Sequence, residues 1–210
     1  MPLDLWLAFL AASAALLAIP GPTVLLVLSY ALSQGRRVAL CCAAGVALGD
    51  LLAMSASLLG LGALVLASAT LFTALKLIGA AYLIWLGWRM LRAAPGGAPA
   101  LRAPDPEVAP GAVFRHAAAV TALNPKSIAF FIAFVPQFVT LDAPLAPQFA
   151  LLIATFVTLA ALNALAYALA ADRLRRVIAR GRVLALMGRA GGAALIVMGL
   201  LTATLRRSPP

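Results

Sequence analysis

The chain consists of long apolar blocks separated by short basic or proline-rich segments. No Asp, Glu, Lys, Arg or His lies between Asp4 and Arg36, and the stretch from Val38 to Leu91 is almost wholly apolar. A bilayer core about 30 Å thick takes roughly 20 apolar residues as a helix, so the second block is about twice as long as one crossing needs and must fold back. Backbone in hydrocarbon must satisfy its own hydrogen bonds, and the expected element is therefore the helix.

This pattern predicts an all-α integral membrane protein of about six transmembrane helices. The predicted spans, in chain order, are 5–32, 38–66, 71–90, 113–139, 145–171 and 183–205. Several prolines interrupt the segment 93–112, which is expected to be an exposed linker because proline ends a regular helix. We therefore divide the chain into a first three-helix repeat (1–92), a cytoplasmic linker (93–112) and a second three-helix repeat (113–210).

Composition supports the membrane assignment and excludes a soluble domain. Hydrophobic residues make up 64% of the chain, charged residues 10%, and the mean hydropathy is +1.06. The first apolar block is expected to be a retained helix and not a signal peptide, since it is too long and no basic residue precedes it.

Lysine and arginine are concentrated in alternate connections, which predicts the orientation in a bacterial inner membrane. The connections after the first, third and fifth spans contain, in chain order, Arg36, Arg37, Arg89, Arg92, Arg102, Arg115, Arg173, Arg175, Arg176, Arg180 and Arg182. The positive-inside rule places these connections in the cytoplasm and both termini outside, although Arg206 and Arg207 at the tail oppose this weakly. Anionic headgroups are sufficient partners for the net charge of +10, so no nucleic-acid ligand is expected.

Two spans carry proline motifs that break a helix. Pro20, Gly21 and Pro22 interrupt the first span, and a second motif interrupts the fourth. Two prolines around a glycine cannot continue an unstrained helix, and the freed carbonyls can bind a polar solute or an ion. The alternative is a plain kink, since proline is common in membrane helices.

The second motif is Asn124, Pro125 and Lys126, which adds an amide and an ammonium group to the break. It lies at a depth in the fourth span comparable to that of the first motif in its own span. A short similarity between 76–81 and 189–194 also relates the third and sixth spans. Three spans per half enter the membrane from opposite sides, so these observations predict two inverted repeats with broken helices 1 and 4.

Ionisable residues inside predicted spans include Asp50, Lys76 and Lys126. Each costs about 2.5 to 3.5 kcal/mol at a helix centre and therefore requires a partner or a task. Asp50 follows Gly45 and Gly49, a small-residue face that lets another helix approach, so its carboxylate is expected to point into the bundle. It could pair with a lysine, or it could bind a cationic amine and exchange a proton. Lys76 could equally extend to the outer interface.

Further residues give weaker indications of function. Asn163 and Tyr167 lie one turn apart in the fifth span and could donate hydrogen bonds into a central cavity or join helices.

Cys41 and Cys42 are adjacent in the sequence, and we expect them to pack against neighbouring helices. The sequence contains no metal-ligand cluster, phosphate loop or enzyme motif, so neither catalytic chemistry nor a cofactor is expected. Small-residue faces could support a homodimer or packing within one bundle.

These motifs, in this order, resemble the lysine exporter (LysE-type) amino-acid efflux family. The similarity is carried by the two broken-helix motifs and by three further segments, which are Gly49-Asp50, the run from Lys76 through Gly79 and Tyr82 to Gly87, and the run from Phe130-Phe131 to Pro136-Gln137-Phe138. The resemblance implies an inner-membrane secondary transporter, not an enzyme, that exports amino acids or related metabolites and is coupled to protons. It also implies that the positions that matter include Pro20, Gly21, Pro22, Asp50, Lys76, Asn124, Pro125 and Lys126.

Two other functions stay open at this stage. A membrane thiol-electron carrier would need redox cysteines in a cavity, for which adjacent Cys41 and Cys42 are poorly placed. A non-transporting membrane subunit could present the arginine-rich connection after the fifth span to a partner, but that function leaves Asp50 and Lys126 without a role.

Overall fold

The computed structural model describes residues 1–19, 21–92, 108–140, 143–178 and 181–204, without the side chains of 64–67, 69, 172–178 and 181–184. All regular structure in the described residues is helical, which confirms the predicted all-α fold. Pro20, most of the predicted linker and the side chains of the arginine-rich connection lie outside the described residues.

Seven α-helices and one short 3-10 helix form the described chain. They are α1 (Leu3–Ala18), α2 (Pro22–Ala67), α3 (Ala69–Arg92), α4 (Pro110–Ala122), α5 (Pro125–Ala133), the 3-10 helix (Val135–Phe138), α6 (Leu145–Ile178) and α7 (Gly181–Thr204). Breaks fall at Gly21 and at Asn124, as the proline motifs predict. α6 extends beyond the predicted end of its span at residue 171, because its polar end continues the helix past the apolar block.

α2 is much longer than one membrane crossing and contains an interruption. Its 46 residues would extend about 69 Å at 1.5 Å per residue, which is more than twice the bilayer core. At Gly35 the backbone takes φ 80 and ψ 179, a conformation that only glycine adopts without strain. This break lies between the first two predicted spans, beside Arg36 and Arg37.

Four of the described helices contain segments long and apolar enough to cross a membrane. They are Pro22–Ala63, Thr70–Arg92, Leu145–Ala171 and Ala185–Thr204. The bent pair Pro110–Ala122 and Pro125–Phe138, with an angle of 44° between its halves, adds a fifth if it forms one span. The protein is therefore a multi-pass membrane protein, whereas the count of six spans stays a prediction.

The short helix α5 lies at the centre of the bundle. Its aromatic residues Phe130 and Phe131 are fully buried and pack against Phe156 of α6, with ring centroids 5.9 Å and 4.8 Å away. Phe138 of the 3-10 helix packs edge-on against Phe9 of α1 at 5.4 Å. This aromatic cluster holds the second half of the broken span against α1 and α6.

Glycines bring two other helix pairs into close contact. A side chain at Gly45 or Gly49 would collide with α4, at Phe114 and Thr121 respectively. The small-residue face formed by Gly45 and Gly49 therefore allows α4 to pack closely against α2. On the other side of the bundle, Gly87 of α3 meets the backbone of α7.

Candidate functional site

The two helix breaks lie side by side. α1 ends at Ala18 and α2 begins at Pro22, while α4 ends at Ala122 and α5 begins at Pro125. Proline suits the first position of a helix because its missing N–H would have no partner there. The Asn124 side-chain amide donates a hydrogen bond to Thr23 Oγ1 at 3.3 Å, which joins the two breaks directly.

A cavity of about 30 Å³ lies between the breaks, with room for about one or two water molecules. Its lining mixes apolar residues from α1, α2 and α6 with a small set of polar groups, the composition expected of a small-molecule site. The polar or glycine lining residues are Gly21, Thr23, Asp50, Asn124, Lys126, Ser127 and Asn163.

Asp50 projects from α2 into this cavity and is 3% exposed. Its direction follows from the packing of α2 on α4, because Gly49, the preceding residue, faces α4: a Cβ atom there would lie 2.6 Å from Thr121 Cβ. Among the described residues, no side chain forms a hydrogen bond or a salt bridge within 4.0 Å with the Asp50 carboxylate. Asp50 is therefore a buried acid that faces the cavity without a direct partner.

Lys126 reaches across the cavity to the end of α1 and is 9% exposed. Its ammonium group donates hydrogen bonds to the carbonyl oxygens of Leu16 and Ile19, both at 3.2 Å. Gly21 leaves room for this approach, since a Cβ atom there would lie 3.2 Å from Lys126 Nζ. The Lys126 backbone N–H donates to Asn124 Oδ1 at 3.1 Å, which caps the start of α5.

Asn163 of α6 completes the contacts to the end of α1. Its Nδ2 donates to the carbonyl oxygen of Leu17 at 3.2 Å. The last carbonyls of a helix have no partner within it and must find one elsewhere when buried. In this protein two other helices supply donors, through Lys126 and Asn163, and the Leu16 oxygen also accepts from the Ile19 backbone N–H at 3.3 Å.

Five of the predicted positions therefore meet at one cavity, namely Gly21, Asp50, Asn124, Lys126 and Asn163. Pro22 and Pro125 begin the adjoining helices without lining it, and Pro20 lies outside the described residues.

The structure does not bring Lys76 or Tyr167 to the cavity. Lys76 is partly exposed on α3. Tyr167 packs among apolar residues that include Leu28 and Ala171, because one further turn along α6 carries it past the cavity. Asn163 therefore lines the cavity without Tyr167, and a role for Tyr167 in transport stays a prediction.

Sequence reasoning missed Thr23 and Ser127, which also line the cavity. Both hydroxyls lie in the first turn of a helix that begins with proline. That position is a usable signal, since the first turn after a break faces whatever the break encloses. The proline motif predicted free carbonyls at the end of α1, but it did not predict that those of Leu16 and Ile19 would receive the Lys126 ammonium group.

No alternative chemistry emerges from the rest of the described chain. Within it, no group of three or more His, Cys, Asp or Glu residues could hold a metal ion. Cys41 and Cys42 carry free thiols, and Cys42 is fully buried in an apolar cluster with Val46. Neither cysteine lines the cavity.

Comparison with known proteins gives matches along nearly the whole chain. The family model described as "LysE type translocator" matches residues 5–206. An uncharacterized membrane protein of Vibrio cholerae serotype O1 is 34% identical over 207 residues, which is 98% of this chain and 100% of the relative. No solved structure matches the chain.

Two further relatives have a named function. The homoserine/homoserine lactone efflux proteins of Salmonella typhimurium and Salmonella typhi are each 32% identical over 208 residues, which is 99% of this chain and 100% of either relative. These matches confirm the resemblance found in the motifs. The chain belongs to the LysE type translocator family, and it is a bacterial multi-pass membrane transporter that exports small molecules, not an enzyme.

Proposed function

We propose that this transporter exports amino acids or closely related amines and exchanges them for protons at Asp50. The observation that carries the proposal is a buried carboxylate without a direct partner, facing a cavity between two broken helices. An ionisable group inside a membrane protein is by default a candidate substrate or proton site, because burying it costs free energy that a partner or a task must offset.

The chemistry of the named relatives supports an amine as the group that is recognised. Homoserine and its lactone share a primary amine, whereas only homoserine has a free carboxylate. A site that binds the amine through Asp50 accepts both compounds. The amino-terminal end of α2, where Thr23 and Val24 line the cavity, is then the place for a carboxylate when the solute has one, since a helix begins with a partial positive charge.

The size of the cavity supports a transport cycle with moving helices. A volume of about 30 Å³ holds water but no amino acid. Binding therefore requires α1 and α5 to move apart, and the breaks at Gly21 and Asn124 are the natural points for this movement. Opening toward one face at a time would give alternating access to Asp50.

The buried carboxylate of Asp50 also supports proton exchange. Asp50 holds a cationic amine when it is ionised and releases it when a proton neutralises the carboxylate. Protons that enter from outside would thus release the solute there, and loss of the proton to the cytoplasm would restore the acid for the next amine. Lys126 does not replace the amine in this cycle, because its ammonium group contacts the carbonyls of α1.

The decisive variant is Asp50→Asn, which keeps the size of the side chain and removes the charge. Proteoliposomes are loaded with a panel of labelled amino acids that includes homoserine, and with homoserine lactone, and efflux is measured with and without a pH gradient. We expect gradient-driven efflux of a few members by the native protein and at least a 100-fold loss in Asp50→Asn.

Asp4→Asn is the matched control, since Asp4 is an exposed acid in the first turn of α1. It should transport like the native protein. Gradient-driven efflux at the native rate by folded Asp50→Asn would refute the role of this acid. Failure of the native protein to export any member of the panel would refute the solute class.

The internal repeat is also proposed. α3, from the first half, packs its Gly79 on Ala133 of α5, and α7, from the second half, packs its Gly191 on Ile19 at the end of α1. Each half thus supports the broken span of the other. This reciprocal packing supports two inverted three-helix repeats, with the transport site at their interface.

A further inference from the structure

The end of α1 presents a set of carbonyl oxygens to the buried interior. The oxygens of Leu16 and Ile19 converge on one point, where Lys126 Nζ lies 3.2 Å from each. A helix ends with a partial negative charge, so this point favours a cation even without a carboxylate.

The ammonium group at this point lacks the usual partner of a buried lysine. Within the described ranges, no carboxylate lies within 4.0 Å of Lys126 Nζ, although Asp50 lines the same cavity. Its direct hydrogen bonds go to backbone carbonyls, the small volume of Gly21 admits it, and the charge of Asp50 across the cavity adds a longer-range attraction. Membrane transporters use this arrangement, with freed carbonyls at the end of a half-helix, to coordinate monovalent cations.

We propose that the end of α1 is a monovalent-cation site, in which the Lys126 ammonium group is a tethered occupant. The free ligand that fits is ammonium or methylammonium, which has the same charge and the same N–H donors as the lysine head group. Because the tether supplies the charge, the native protein needs no sodium or potassium ion at this position. The site exists independently of the solute that is carried.

Removing the tether tests the proposal. Lys126→Ala removes the ammonium group and leaves the space that it filled, whereas Lys126→Met also removes the charge but fills the space with an apolar chain. Each purified variant is melted in detergent while ammonium chloride or methylammonium chloride replaces choline chloride at constant ionic strength. A ligand that binds only the folded state raises the melting temperature in a saturable way.

We expect the melting temperature of Lys126→Ala to rise by roughly 5 °C at saturating ammonium, and those of Lys126→Met and the native protein to stay unchanged. No response in Lys126→Ala would overturn the proposal, as would an equal response in all three proteins, which indicates a general salt effect. The measurement requires no transport, so it stands or falls separately from the proposed solute and coupling.

A poorly folded variant still gives an answer. Lys126→Ala that aggregates in choline but is monodisperse in ammonium supports the site, and aggregation in both salts while Lys126→Met is monodisperse contradicts it.

Discussion

Buried hydroxyl groups in this protein differ in whether they have a partner. Thr202 is fully buried, donates to the Met198 carbonyl at 2.8 Å and accepts a hydrogen bond from Gln137 at 2.7 Å. Thr121 is 1% exposed, and its hydroxyl has no hydrogen-bond partner among the described residues. A buried polar group without a partner reduces stability, because it has lost its hydrogen bonds to water without replacement.

This contrast predicts opposite effects of the same substitution. Thr121→Val removes an unpaired hydroxyl and should raise the free energy of unfolding by about 1 kcal/mol, whereas Thr202→Val removes a paired one and should lower it by a similar amount. Melting temperatures in detergent should then change by about 2 to 4 °C in opposite directions. A lower melting temperature for Thr121→Val would mean that its hydroxyl does have a partner.

Close helix contacts depend on individual glycines rather than on glycine content. Along α2, a Cβ atom at Gly49 would lie 2.6 Å from Thr121 Cβ and from the Ala118 carbonyl oxygen, whereas one at Gly60 would meet nothing within 4 Å. The first glycine therefore sets the distance between α2 and α4, and with it the position of Asp50. The second has no such role.

We expect Gly49→Ala to lower the free energy of unfolding by about 1 to 3 kcal/mol through overpacking and to impair efflux by shifting Asp50. Gly60→Ala is the matched control on the same helix and should be neutral or stabilising by about 0.5 to 1 kcal/mol, since alanine favours helix. Melting temperature and efflux are measured on both variants. Equal losses in the two would show that general helix effects, not the α2–α4 contact, are responsible.

Arginine and tryptophan side chains at the helix ends bear on the orientation of the whole molecule in the membrane. Arg36 and Arg37 lie beside the break at Gly35, and Arg89 and Arg92 form the last turn of α3. Arg89 and Arg92 also stack on Trp85 and Trp88, at 4.8 Å and 4.4 Å from the ring centroids. Tryptophan and arginine at a helix end are typical of the level of the lipid headgroups, so we expect this end of α3 to lie at a membrane interface.

Reporter fusions test the predicted orientation. Alkaline phosphatase, which is active only outside, should be active after Thr204 and inactive after Arg92, and green fluorescent protein should show the reverse. These results follow if the basic connections face the cytoplasm and the number of spans is even. Phosphatase activity after Arg92 would show that the orientation is inverted, and an inactive phosphatase after Thr204 would contradict the count of six.

The sequence alone predicted the helices, the breaks and most of the acidic and basic groups of the site. Block length against bilayer thickness predicts spanning helices, and the proline motifs predict where α1 and α4 end. Asp50 and Lys126 were identifiable because a charged side chain in hydrocarbon costs free energy that a partner or a function must offset. These inferences need only local composition and the properties of lipid.

Only the tertiary structure decided which groups share the cavity. Asn163 and Tyr167 looked equivalent in the sequence, but the packing of α6 brings only Asn163 to the end of α1. The proline motif predicted free carbonyls at this break, but every residue has a carbonyl, and only the surrounding helices determine that those of Leu16 and Ile19 receive the lysine. Composition thus determines that a chain crosses the membrane and where its helices break, whereas the side chains and backbone groups that meet inside depend on how those helices pack.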